Sequence, residues 1–173
     1  MAYSVPSTAA GGILTDAIWN ASVRDNILYL KDREDNPPRA RLTHSTTQSL
    51  TDGALTAVAF DGEATDSAAL HDTSTNNSRI TIPTGEGGWW LFTGVVEFAA
   101  NATGQRKLQF RTDGSANFGG MAVDAAASGV TQLAISFMLA LTAGQYAELM
   151  ASQNSGGALN LTTGVHFSAI RIA

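Results

Sequence analysis

The stretch Gly88-Trp89-Trp90-Leu91-Phe92-Thr93-Gly94-Val95-Val96-Glu97-Phe98 decides how the rest of the chain is read. Side chains alternate across a strand, so Trp90, Phe92, Val96 and Phe98 share one face while Trp89, Leu91 and Val95 share the other. Both faces are apolar, and a strand of that kind must be covered twice. Leu133 to Leu141 repeats the pattern, with Leu133, Ile135, Phe137, Leu139 and Leu141 facing one way and Ala134, Ser136, Met138 and Ala140 the other. In a two-sheet sandwich the first face fills the core. The second face calls for another subunit.

Outward from these strands the period stays at two. Lys107-Leu108-Gln109-Phe110-Arg111 places Leu108 and Phe110 on one face and its charges on the other, as in a half-exposed strand, and Arg79-Ile80-Thr81-Ile82 does the same. Between the strands lie turn residues: Thr51-Asp52-Gly53, Asp113-Gly114, Gly119-Gly120, Ala143-Gly144 and Ser155-Gly156-Gly157. The composition of Ala143 to Ser152 would allow a helix, but its neighbours favour a strand. Short strands separated by such signals predict an antiparallel sandwich or jelly roll.

Composition narrows the class. The chain has 173 residues, 14% of them charged, no Cys, and 10 Lys+Arg against 15 Asp+Glu for a net charge of −5. That length suits one compact domain plus an appendage. With no basic cluster, nothing here would follow a phosphate backbone, so nucleic-acid binding is not expected. The absence of Cys excludes a disulfide scaffold, a thiol nucleophile and a cysteine zinc site. The first residues lack the pattern of a secretion signal and no stretch has the length of a membrane span, so a soluble protein made in the cytoplasm is expected.

A composition break at Asn36-Pro37-Pro38 divides the chain into an N-terminal segment, 1–36, and a β domain, 39–173. In the first, Thr15 is placed to cap a helix over about 16–34, with Leu14 spaced to pack on Trp19. Val23, Ile27 and Leu30 follow at coiled-coil spacing, with Asn20 one step earlier. Such a stripe packs either on the protein's own domain or a partner, or in a short self-associating bundle. The helix must stop before Pro37. Residues 1–41 hold five acids and five bases, which leaves the −5 to the sandwich and describes a neutral anchor under an acidic knob.

Three motifs in the β domain resemble the C1q/TNF-like jelly-roll superfamily in the short form found in phage structural proteins. Gly88-Trp89-Trp90-Leu91-Phe92 is similar to the family's glycine, aromatic, x, Phe opening of a central strand. Leu139-Ala140-Leu141-Thr142-Ala143-Gly144-Gln145-Tyr146-Ala147-Glu148-Leu149 resembles its Leu-x-Leu-x-x-Gly-Asp-x-Val-x-Leu hairpin, with Gln145 for Asp and Ala147 for Val. Phe167-Ser168-Ala169-Ile170-Arg171-Ile172 resembles its closing Phe-Ser-Gly-Phe-Leu-Leu strand, with Ala169-Ile170 for Gly-Phe. The resemblance implies a ten-stranded two-sheet sandwich and a homotrimer in which aromatic strand faces meet around a threefold axis. Trp89, Trp90, Phe92, Phe98, Phe137, Tyr146 and Phe167 would then fill the core or the trimer interface. Residues 12–31 resemble the N-termini of phage head and tail appendage proteins, and Leu14, Trp19, Val23, Ile27 and Leu30 would form the anchor helix.

Catalytic chemistry is not visible. His44, His71 and His166 have no metal-ligand spacing, and there is no nucleophile elbow, phosphate loop or dinucleotide fingerprint. Asp61, Glu63, Asp66 and Asp72, the last beside His71 and followed by Asn76 and Asn77, supply oxygen ligands of the kind that suits Ca²⁺, but Asx turns in a solvated acidic loop account for them better. No cofactor is expected. Asn-x-Ser/Thr matches at Asn20, Asn76, Asn101 and Asn160 carry little weight in a chain rich in Ser and Thr.

The function expected is therefore structural: a trimeric capsid decoration protein or short head fibre, held to the major capsid protein or another virion protein through residues 1–36, with the jelly roll outward. Only about 25 residues separate leader and knob, a helix of roughly 28 Å, too short for a tail-fibre shaft. The alternative is a tail or baseplate appendage that recognises a host surface glycan or protein. An enzyme is not expected.

Overall fold

The computed structural model describes residues 16–172. They form two units that divide between Pro37 and Pro38. Leu14 and Thr15, the expected staple and cap, lie outside the described residues.

The first unit is helical: α1 (Asp16–Trp19), a π-helical turn (Asn20–Arg24) and α2 (Asp25–Asp35). The extent agrees with the sequence reading, but the π turn does not, because it carries more residues than an α turn. Trp19, Ile27 and Leu30 are all more than half exposed. Lys31 pairs with Asp35 one turn on.

The second unit contains twelve strands. They are β1 (Arg39–Thr43), β2 (Gln48–Leu50), β3 (Thr56–Ala57), β4 (Gly62–Asp66), β5 (Arg79–Thr81), β6 (Gly88–Phe98), β7 (Gln105–Thr112), β8 (Ala116–Asp124), β9 (Thr131–Leu141), β10 (Tyr146–Gln153), β11 (Leu159–Leu161) and β12 (His166–Arg171). One sheet runs β2-β11-β6-β12-β1-β4 with β9 on the other side of β6, and the second runs β3-β10-β7-β8 with β5 also on β10. All pairings are antiparallel. Two antiparallel sheets packed over one core make a jelly-roll sandwich. The ten strands implied by the resemblance become twelve because short edge strands are added.

Trp90, Phe92, Val96 and Phe98 of β6 are buried, as their shared face requires. Phe92 lies 6.4 Å from Trp90, 6.4 Å from Phe110 and 6.0 Å from Phe167, ring centre to ring centre. Rings at such separations add to the burial of their area. Gly94 sits where the sheets approach most closely, since a Cβ there would strike the Leu149 side chain of β10. The Ala143 to Ser152 stretch is a turn followed from Tyr146 by a strand, β10, with Ala147, Leu149 and Ala151 in the core.

Two sequence readings need correction. Gly119-Gly120 is not a turn but a bulge inside β8: Phe110 pairs with Phe118 and Leu108 with Met121, so two glycines face Gln109 alone. Arg39 and Arg41 belong to β1, so the charge does not divide as zero and −5. Five acids and three bases up to Pro37 give −2, and ten acids against seven bases from Pro38 give −3. The helical segment is mildly acidic rather than neutral.

Candidate functional site

The strand registers build the outer face of the first sheet row by row. Leu91 of β6 pairs with Met138 of β9 on one side and Ile170 of β12 on the other, and Ile170 pairs with Arg39 of β1. One row over, Trp89 pairs with Ala140, and Ile172 donates its backbone N–H to the Trp89 carbonyl at 2.7 Å. The result is an apolar band of Trp89, Leu91, Met138, Ile170 and Ile172. Trp89 is 51% and Met138 53% exposed. Beside the band runs a row of small hydroxyls, Ser136, Thr93 and Ser168, ending at Arg41 and Thr65. A hollow of about 200 Å³ lined by Leu91, Thr93, Ile170, Arg41 and Thr65 lies between the two rows. Adjoining apolar side chains left in water on this scale mark a contact surface.

The third row carries the face's titrating group. Val95 pairs with His166, which pairs with Thr43. Burial, and then the positive charge of Arg41, push the His166 imidazole below its ordinary value. Its Nδ1 is buried without a hydrogen-bond partner. This row is therefore held in the neutral form.

The sequence-derived residues divide among three places. Trp90, Phe92, Phe98 and Phe167 are core. Trp89 stands on the outer face. Phe137, 39% exposed, sits on β9 at the open side of the sandwich, its ring 5.0 Å from Phe118 of β8. Tyr146 belongs to neither group: it lies on the outward side of the second sheet, where the Arg79 guanidinium stacks 4.4 Å from its ring centre. There Arg111 pairs with Glu148 at 2.8 Å, and Ser78 Oγ donates to the other carboxylate oxygen at 3.1 Å. Position 146 lies within the family-like hairpin, and strand alternation turns its ring to the side opposite Ala147 and the core.

The acidic loop spends its carboxylates on its own backbone. Asp61 accepts from the Ser45 N–H and from the Ser45 and Thr46 hydroxyls, which hold it below the usual carboxylate range. Asp66 accepts from the N–H groups of Ala68, Leu70 and His71. Asp72, bonded first by the Ser74 hydroxyl and then by the Thr75 and Ser74 N–H groups, is lowered to about 2. His71 Nδ1 contacts Glu63 at 2.9 Å, and its Nε2 contacts the Asn77 carbonyl at 3.1 Å. Among the described residues no three His, Cys, Asp or Glu side chains are grouped to hold a metal, and no helix is long and apolar enough to cross a membrane.

One feature escaped sequence reasoning. Arg106 is fully buried, and its guanidinium donates to the carbonyls of Asn101, Thr103 and Gln105. Burial lowers its pKa. The alternation of β7 carries the signal, for Arg106 shares the parity of Leu108 and Phe110 rather than that of Lys107.

No family model and no curated sequence matches the chain. Solved structures do. The globular domain of zebrafish complement 1qA is similar over 79% of this chain and 98% of its own, at 14% identity and a TM-score of 0.54. Murine APRIL matches over 79% of this chain and 100% of its own, at 10% identity and a TM-score of 0.60. The PRD1 vertex protein P5 matches over 79% of this chain and 98% of its own, at 21% identity and a TM-score of 0.55. At these identities the likeness establishes the fold, a C1q/TNF-like jelly roll. None of these neighbours is an enzyme.

Proposed function

We propose that this chain is a phage virion structural protein: a homotrimer that decorates the capsid or forms a short head fibre. Residues 1–36 attach it to the major capsid protein or another virion protein, and the jelly roll projects outward. The observation that carries this reading is the apolar band of Trp89, Leu91, Met138 and Ile170, which the described residues of the sandwich leave open to water. Closing three copies around a threefold axis removes that area from water, at about 25 cal/mol per Å². The fold of a virion vertex protein lends support. The exposed Trp19, Ile27 and Leu30 give the helical segment a stripe for docking on the particle.

Two measurements test the proposal. Light scattering on the full-length protein at micromolar concentration should give about 54 kDa, three times 18.0 kDa; a monomer overturns the trimer. A chain beginning at Pro38 should fold and associate but fail to incorporate into particles, and normal incorporation overturns the anchor. Labelling on a tail rather than a head transfers the reading to a tail appendage.

A further inference from the structure

The outward side of the second sheet holds a hollow of about 380 Å³ over β7 and β8. It is lined by Lys107, Gln109, Asn117 and Ala122, by the apolar Phe118 and Met121, and by Gly119 and Gly120. The bulge makes the opening. Two residues of β8 face one of β7, and both are glycine: a Cβ on Gly119 would meet Phe137 and Phe110, whereas Gly120 is the one on the Gln109 side, so β8 sets no side chain against Gln109 there. A Cβ on Gly120 would come within 3.2 Å of Gln109 Cβ and 3.9 Å of its amide oxygen. Gly119, at φ +58°, takes the left-handed conformation that lets the strand bulge.

The chemistry of the hollow is one-sided. Gln109 is only 5% exposed, yet its side-chain amide makes no hydrogen bond to the described residues. The neighbouring polar side chains on this sheet are satisfied from within: Glu148 by Arg111 and Ser78, Gln153 by Leu50, Gly157 and Ser155. Lys107 forms no ion pair with the described residues, and Asn117 makes no side-chain hydrogen bond to them. Asp124, farther along β8, is bound by the Gln105 amide. The lining thus offers one ammonium and two primary amides beside the apolar Phe118 and Met121, with no carboxylate among them.

From this set we propose that the hollow is a binding site for an acidic sugar residue. The ligand's carboxylate pairs with Lys107, and its ring hydroxyls exchange hydrogen bonds with the Gln109 and Asn117 amides, each of which both donates and accepts. The glycine backbone provides the close approach, as concave sites with few convergent polar groups require. This goes beyond the structural role proposed above and does not depend on it, because the hollow lies on the sheet opposite the apolar band. It gives the outward knob a means of touching a glycan-coated surface.

Saturation-transfer NMR on the full-length protein tests it, with glucuronate, N-acetylneuraminate, glucose and succinate as separate probes at millimolar concentration. The two acidic sugars should show saturable transfer and compete with each other, while glucose and succinate bind at least tenfold more weakly. Gly120→Ala, which fits the strand but fills the floor, should reduce binding at least tenfold. Lys107→Gln should reduce it similarly for acidic sugars. Lys107→Gln should keep the parental mass and unfolding midpoint, and Gly120→Ala, whose Cβ presses on Gln109, should keep the parental mass and a cooperative unfolding transition, which separates loss of the site from loss of the fold. Absence of transfer from either acidic sugar overturns the proposal, as does undiminished binding by Gly120→Ala. Glucose binding equally well removes the role of Lys107, and succinate binding equally well removes the role of the hydroxyls; either result overturns the acidic-sugar assignment. The measurement needs no particle, so its failure leaves the virion reading standing, and failure of incorporation leaves the site standing.

Discussion

The two outward faces of the sandwich solve opposite problems. On the first sheet, Trp89, Leu91, Met138 and Ile170 form an apolar band that no other part of the described chain covers. On the second, Arg111 and Glu148 pair across adjacent strands and Arg79 stacks on Tyr146, while Met150 and Gln109 are buried. The lesson is about where a second molecule is needed. A charge network closed within one chain leaves little to gain by association, whereas an apolar band in water gains by it.

The sharpest way to break that contrast is to charge each face in turn. Leu91→Glu should take the protein from about 54 kDa to 18.0 kDa by light scattering, because three carboxylates cannot be buried unpaired around one axis. Ser152→Glu, on the second sheet, should leave the mass unchanged. A trimer that survives Leu91→Glu would move the interface elsewhere.

A smaller effect separates the charged groups. Arg111→Met removes the partner of a nearly buried carboxylate and should cost about 1–3 kcal/mol in urea unfolding. Arg41→Met, on the first sheet and in no ion pair among the described residues, should stay within about 0.5 kcal/mol when measured on the monomeric Leu91→Glu background. Equal losses would mean that the second sheet's network is not what secures it.

The smallest effect is in pH. The unfolded chain protonates His166 near its ordinary value of 6.5, whereas burial and Arg41 make the folded protein resist that proton to lower pH. The stabilisation is therefore complete above pH 6.5 and is lost as pH falls below it. His166→Gln should remove that part of the decline, read as a flatter dependence of the urea midpoint over the window below pH 6.5. An unchanged slope would mean that His166 titrates normally in the fold.

Much of the sandwich is legible in the sequence because strand alternation is a local property. β6 begins and ends at Gly88 and Phe98, the limits its pattern sets, and its inward residues are those of one parity. Gly119-Gly120 was not legible. Two glycines in a row carry the signal of a turn, and only their pairing against Gln109 makes them a bulge. Arg106 and Tyr146 failed for a related reason: a long polar-tipped side chain goes wherever the chain supplies carbonyls or a stacking partner, and those come from loops and strands distant in sequence.

The sequence by itself determined the period-two architecture, the helix before Pro37, and the fact that two strands were apolar on both sides, since these depend on neighbours a few residues apart. Only the tertiary structure decided which rows those residues join and which face stays open. It also decided that Gln109 lies against Gly120 of a glycine bulge. Strand register and sheet order bring together residues far apart in the chain, and their hydrogen bonds and burial exist only once the two sheets have closed on each other.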